Sequence, residues 1–271
     1  MKIEEIEISN PDKLIFPKQK LTKLDMITYY DKIADRMLPF LKDRPLTLQR
    51  FPDGIDKDGF YQKNAADYFP DFIERVSIET EDGTNTQIIC NTKKSLIYLA
   101  NQGTVTFHIW LAQKDKLNTP DKVVFDLDPP KDAFKKLKKA TQKIGEFLSD
   151  EGKNPQLMTT GKSGFHIWYF ERRDKGFDKR REDIKDLAKT MEEHYPDLLT
   201  TAIRKDKRNN NIFIDYLRNA YGQTTVCPYS LRPLGSAGVA TPIEWDELPK
   251  IEQADQYTYK NLFRRLSQKD D

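Results

Sequence analysis

The segment Val123-Val-Phe-Asp-Leu-Asp-Pro-Pro130 constrains this chain more than any other. Its apolar lead-in reads as a strand over residues 122–128, stopped by Pro129 and Pro130, which cannot continue a ladder. Strand side chains alternate faces, so Asp126 and Asp128 project to one side and Leu127 to the other, toward a core. Two carboxylates on one rigid strand edge repel each other unless a cation sits between them. Hard oxygen ligands suit Mg²⁺ or Mn²⁺. An Asp-x-Asp pair also occurs in plain surface turns, and it is the apolar run before it that favours chemistry. A third carboxylate, Asp215, closes a second apolar strand, Ile212-Phe-Ile214. Its plainer role is to pair with Arg218. Three carboxylates on adjacent strand ends would permit a two-metal site.

A second candidate is Thr159-Thr-Gly-Lys-Ser-Gly-Phe-His166. Its glycines let backbone approach a ligand closely, and Thr160, Lys162, Ser163 and His166 can bind phosphate oxygens. An ordinary hairpin turn between strands at 157–160 and 165–170 explains the same residues. The spacing is not that of a Walker A loop. His108 lies opposite the apolar face of a strand over 104–111, which carries Val105, Phe107, Ile109 and Leu111. Lys57-Asp-Gly59 lacks the spacing of an adenylylated ligase lysine, and Pro130 stands where a phosphatase DxDxT motif needs a hydroxyl.

Helical periodicity begins after Thr22, a candidate N-cap, and continues through Leu24, Ile27, Tyr30, Ile33 and Met37. Further helices are predicted over about 92–101, 132–150, 178–195 and 257–266. Residues 9–20 read as irregular. Strands and helices mix without regular βαβ alternation, which points to an α+β (mixed α/β) domain with antiparallel or mixed sheets flanked by helices.

The chain has 271 residues, 45 basic and 43 acidic, for a net charge of +2. That balance argues against a nucleic-acid partner only weakly, because phosphate binding depends on where charge lies. Basic stretches occur at 131–143 and at Arg204-Lys-Asp-Lys-Arg208, just before the Asp215 strand. Phe60 and Tyr61 suit either a core or a base-stacking platform. Cys90 and Cys227 form no metal cluster, so a disulfide scaffold and a structural zinc site are both unexpected. No apolar run is long enough for a membrane span, and a cytoplasmic, nucleoid-associated protein with no membrane partner is expected.

Taken together, these motifs resemble the polymerase domain of bacterial ligase D and its stand-alone relatives. That family belongs to the archaeo-eukaryotic primase superfamily and acts in non-homologous end joining. The resemblance runs from Ser9-Asn-Pro-Asp-Lys-Leu-Ile-Phe-Pro17 to Ala240-Thr-Pro-Ile-Glu-Trp-Asp-Glu-Leu248. Between them lie Arg50-Phe-Pro-Asp-Gly54, Phe60-Tyr-Gln-Lys-Asn64, His108-Ile-Trp110, Gly164-Phe-His166, Ile214-Asp-Tyr-Leu-Arg-Asn219 and Pro228-Tyr-Ser-Leu-Arg232. It implies a primase-polymerase fold and a single catalytic domain over 1–271. Residues 1–70 would hold a DNA 5′-phosphate-binding part and 85–250 the catalytic core.

The implied activity is template-directed nucleotidyl transfer that fills gaps and extends ends during double-strand-break repair, with a preference for ribonucleotides. The implied cofactors are two Mn²⁺ (or Mg²⁺) ions held by Asp126, Asp128 and Asp215, and the substrate is a nucleoside triphosphate. His108, Thr160, Lys162, Ser163, His166, Arg218 and Arg232 would line that nucleotide. Lys13 and Lys23 would hold the 5′-phosphate of gapped or broken DNA. Phe60 and Tyr61 would lie near the templating base with Lys63 beside them. Arg208 would belong to a loop handling the primer terminus, and residues 81–87 to a loop that pairs DNA ends. The expected partners are a separate DNA ligase and a Ku-like end-binding protein. The alternatives are a primase that starts chains de novo and a catalytically weak end-bridging module.

Overall fold

The computed structural model describes residues 1–80 and 83–270. Two short hairpins open the chain. One pairs β1 (Lys2–Ile3) with β2 (Ile6–Glu7), and the other pairs β3 (Leu14–Phe16) with β4 (Leu21–Thr22). The second hairpin and a short 3₁₀ turn at Pro17–Gln19 give structure to a stretch that reads as irregular in sequence. Helix α1 (Lys23–Leu41) starts where expected. Thr22 caps it reciprocally with Asp25, each side chain meeting the other's backbone N–H. Helix α2 (Lys93–Asn101) is capped one way only by Thr92, whose hydroxyl accepts from the Ser95 N–H.

The first large sheet contains β5 (Pro45–Arg50), β6 (Phe60–Gln62), β7 (Glu74–Thr80), β8 (Gly83–Ile89), β9 (Thr104–Trp110) and β15 (Thr224–Val226). Its order is β15-β9-β5-β8-β7, with β6 beside the far end of β5. One face is buried against α1 and α2 through Leu46, Leu48, Val105, Phe107 and Ile109. The expected end-pairing loop at 81–87 is largely strand here: residues 83–87 belong to β8, and residues 81 and 82 lie outside the described residues.

The second sheet contains β10 (Lys122–Asp128), β11 (Gln156–Thr159), β12 (Phe165–Phe170), β13 (Leu199–Thr200), β14 (Ile212–Asp215) and β16 (Thr241–Ile243). Its order is β13-β14-β10-β12-β11-β16, antiparallel except for β13 against β14. Phe125, Leu127, Phe165, Ile167 and Ile214 pack beneath it, in one core with residues of α3 (Phe134–Asp150) and α4 (Phe177–His194). A small third core of Leu111, Ala112, Val124, Met158, Trp168, Phe177, Val226 and Ala240 brings residues of both sheets together. The mixed α/β class with helix-flanked sheets thus matches expectation. The last helix does not: α5 spans Leu262–Asp270, beginning five residues later than the sequence pattern placed it. Asn261 explains the offset, since its side chain binds the Thr258 N–H and its Nδ2 donates to the Gln256 carbonyl, holding 256–261 as a turn.

Candidate functional site

Strand register builds the site. Asp126 on β10 stands opposite Asp215 on β14 and opposite His166 on β12. His166 in turn faces Met158 on β11. Register partners share a face, so Asp215, Asp126, His166 and Met158 form one row across four strands. That face is the reverse of the one packed on α3 and α4. Asp128 lies two residues beyond Asp126, opposite Phe213. The alternation that places Leu127 in the core therefore places both acids at the cleft.

The charges interlock. His166 Nε2 lies 3.3 Å from Asp126 Oδ1. Arg218 Nε lies 3.7 Å from Asp126 Oδ2 and 3.6 Å from Asp215 Oδ2. Asp215 Oδ1 also accepts from the Leu217 N–H at 2.9 Å. Burial alone would raise the Asp126 carboxyl, but His166, Arg218 and Arg232 outweigh it and hold it below its ordinary value. Asp128 is pushed up, first by burial and then by the charges of Asp126 and Asp215. Burial likewise raises Asp215, against the Leu217 N–H and Arg218. The acids thus form an under-compensated anionic edge, with Arg218 as the nearest cation to two of them. Among the described residues, no three His, Cys, Asp or Glu side chains are gathered closely enough to enclose a metal ion.

Above this edge lies a cavity of about 310 Å³. It is lined by Tyr61, His108, Asp126, Asp128, Thr160, Lys162, Ser163, His166, Arg218 and Arg232. The first sheet supplies the facing wall. His108 on β9 is partly buried, and its Nε2, itself shielded, has no hydrogen-bond partner among the described residues. Burial, helped by Arg232, Arg218 and His166, lowers its pKa to about 3, so its imidazole is neutral. The Arg232 Nε is also buried without a partner, and burial draws the guanidinium below its ordinary value. Two unsatisfied polar groups facing one cleft are the mark of a site built for a polar, anionic ligand.

The turn between β11 and β12 closes one end. Thr160 Oγ1 accepts from the N–H groups of Ser163 and Gly164 and donates to the Gly164 carbonyl. Its hydroxyl therefore shapes the turn instead of reaching outward, as the sequence had allowed. Lys162 and Ser163 are the exposed members. A Cβ on Gly164 would come within 2.3 Å of the Leu127 carbonyl oxygen, so only glycine lets the turn lie against the end of β10.

Apart from Tyr61, which lines the cleft, the other residues singled out by sequence lie elsewhere. Lys13 and Lys23 form a separate cluster. Lys13 Nζ donates to the Pro52 carbonyl and Asp53, and the buried Lys23 Nζ donates to the carbonyl and hydroxyl of Ser9. Burial, then the charge of Lys13, lowers Lys23 to about 8. Phe60 is half exposed with the Arg50 guanidinium 5.2 Å from its ring centroid, while Tyr61 meets the His108 ring edge-on at 5.9 Å. Lys63 lines a second cleft. Arg208 stacks 3.8 Å from the Phe213 ring centroid and donates to the carbonyls of Ala202 and Ile203, which fixes its loop beside β14. Sequence reasoning missed Thr224 and Thr225, which line the cleft from β15. A three-residue strand gives too little pattern to find, and its place depends on pairing with β9 more than a hundred residues earlier.

A family model described as "LigD, primase-polymerase domain" matches residues 22–271. The chain belongs to this family. It is 32% identical over 264 residues to the bifunctional non-homologous end joining protein LigD of Bacillus subtilis, covering 96% of this chain and 42% of that protein. It is 30% identical to the multifunctional LigD of Mycolicibacterium smegmatis, covering 92% of this chain and 33% of the relative. The chain thus spans less than half the length of either. Among solved structures, the polymerase domain of Mycobacterium tuberculosis ligase D in complex with DNA superposes with a TM-score of 0.91 at 26% identity, over 99% of this chain and 96% of that one. The mixed sheets of the LigD primase-polymerase fold are therefore the architecture described above. Among the described residues no helix is long and apolar enough to cross a membrane.

Proposed function

We propose that this LigD-type chain is a template-directed nucleotidyltransferase that fills gaps and extends ends at DNA breaks. The observation that carries this reading is the pairing of Asp126 with Asp215 across adjacent strands, beneath a cleft walled by neutral His108 and cationic Arg218 and Arg232. An acidic edge facing basic walls suits a triphosphate whose reacting phosphorus must sit between them. The primer 3′-hydroxyl attacks the α-phosphorus of a nucleoside triphosphate, and pyrophosphate leaves.

The donor set is hard oxygen, and burial, with the charge of neighbouring carboxylates behind it, disfavours the ionised forms of Asp128 and Asp215, a cost that a divalent cation would relieve. We assign Asp126, Asp128 and Asp215 to hold two Mn²⁺ or Mg²⁺ ions. Bound there, such ions supply Lewis-acid stabilisation of the developing charge and acidify the attacking hydroxyl. The protein's own groups do the remaining work. Arg218, Arg232 and Lys162 offset triphosphate charge, and His166 holds Asp126 ionised. His108, neutral, turns its unpaired Nε2 toward the ligand. Ser163 offers a hydroxyl at the rim, and Thr160 holds the turn that presents it.

Tyr61, at the cleft wall, and Phe60 beside it stack near the templating base; outside the cleft, Lys13 and Lys23 take the DNA 5′-phosphate, and Lys63 and Arg208 contact the strand. We read residues 1–271 as one catalytic module, with 5′-phosphate capture in 1–70 and the catalytic core in 85–250. A DNA ligase and a Ku-like end-binding protein are the proposed partners, and ribonucleotides the preferred substrates.

Primer extension on gapped, 5′-phosphorylated DNA, with Mn²⁺ and with ribo- or deoxyribonucleotides, tests this directly. A residue that merely supports a metal ligand is worth about 10–100-fold. Asp126→Ala and Asp215→Ala should each therefore slow extension by roughly 100-fold or more while leaving DNA binding nearly unchanged. Extension at near-normal rate by both variants would overturn the assignment. Faster incorporation of deoxyribonucleotides would remove the sugar preference alone.

A further inference from the structure

A second cleft opens beside the first, with a cavity of about 620 Å³. Cavities of about 300–1,000 Å³ accept small-molecule-sized groups. Three observations set this one apart from an ordinary surface hollow. Gln87 lines it at only 4% exposure, and its Oε1 has no hydrogen-bond partner among the described residues. A buried amide oxygen left unpaired is destabilising until a donor reaches it. The cleft also has an aromatic wall. Trp110 is buried with the Tyr221 ring edge-on at 5.1 Å, and Tyr221 remains exposed while its hydroxyl donates to the Glu79 carbonyl. Finally, Lys63 supplies a cation at the cleft.

Placement says what this combination serves. On β9, His108 lies under the first cleft and Trp110 under the second. Two residues apart, they share a face and are separated by about 7 Å. Tyr61 and Lys63 repeat that step, and Thr224 of the first cleft adjoins Gln223 of the second. The second cleft therefore sits one short step along the same wall, comparable to the spacing of neighbouring nucleotides in an extended single strand.

We propose that this cleft takes an unstacked base of the single-stranded DNA template, the neighbour of the base that pairs with the incoming nucleotide. The inference rests on the polymerase reading above. The base stacks on the exposed Tyr221 ring, and Lys63 meets its phosphate. A donor on its Watson–Crick edge reaches Gln87 Oε1. All four bases carry such a donor, so the cleft senses that a base is present more than which base it is.

The test uses the full chain and gapped DNA in which that template position carries a normal base, 2-aminopurine or an abasic site. Base–aromatic stacking predicts that the intact template binds about five- to tenfold tighter than the abasic one. 2-Aminopurine emission should be quenched on binding. Tyr221→Ala should erase the intact-to-abasic difference, and Gln87→Leu should shrink it, with affinity for abasic DNA unchanged in both. Equal binding of intact and abasic templates by the unaltered protein overturns the proposal, and so does 2-aminopurine emission that brightens on binding. The abasic comparison needs no variant to fold. Primer extension on the same DNA separates the two readings. No extension at all removes the polymerase reading, whereas normal extension without the base contrast removes only this one.

Discussion

Lys23 occupies an environment far from that of a surface lysine. It lies buried against Ser9, next to Lys13, and titrates near 8 where a free lysine titrates at 10.5. Between those values the folded chain has released a proton that the unfolded chain keeps. Stability gains from this group as pH rises from about 8 toward 10.5, while the pocket loses a cation over the same interval. The preference for 5′-phosphorylated over unphosphorylated gapped DNA should therefore be full at pH 7 and decline above pH 8. Titrating both DNAs from pH 7 to 9 checks this, and Lys23→Ala should show little preference at any pH. Thr160 yields a second expectation. Its hydroxyl makes three contacts within one turn, so Thr160→Val should lower unfolding free energy by about 1–3 kcal/mol, read by urea denaturation. Thr160→Ser should restore it, because serine keeps the hydroxyl.

At the scale of elements, β10 depends on a side chain that no strand supplies. β14 pairs with β10 only from Asp126 to Asp128. Beyond that point Asn219, buried, accepts from the Val124 N–H at 2.9 Å and donates to the Val124 carbonyl at 2.7 Å. It completes the ladder where β14 ends. Asn219→Ala should cost about 1–3 kcal/mol for the groups left unpaired, and the Val124 amide should exchange faster with deuterium. Elements like α1 and β10 were legible because each carries its own instructions: a cap, a period, a stop. The metal-ligand candidates were legible for the same reason, since period-two alternation and terminal prolines are local. β6, β13 and β15 were not, because two- or three-residue strands acquire their identity from distant partners such as Trp110 opposite Thr224. The closed hydroxyl of Thr160 was likewise hidden, because a turn's internal bonds depend on backbone geometry that composition does not reveal.

For the whole molecule, a net charge of +2 understates how it should meet DNA. Lys13 and Lys23 lie at one cluster, Lys162, Arg218 and Arg232 at the first cleft, and Lys63 at the second. Affinity for gapped DNA should fall steeply with salt, with a log–log slope of about −3 or steeper. Lys162→Ala should change that slope little, since it faces nucleotide instead of DNA. A slope near zero would mean that these cations do not meet phosphate. The two cleft walls come from different sheets, and they touch through eight small-core side chains that include Met158 and Val226. Val226 pairs with His108 and Met158 with His166, so each wall's histidine has a packing residue as its register neighbour. That core works as a shim between two jaws: its thickness sets how wide the gap stands. Nucleotide grip in this protein should therefore be adjustable by a methylene at Met158, which does not line the cleft.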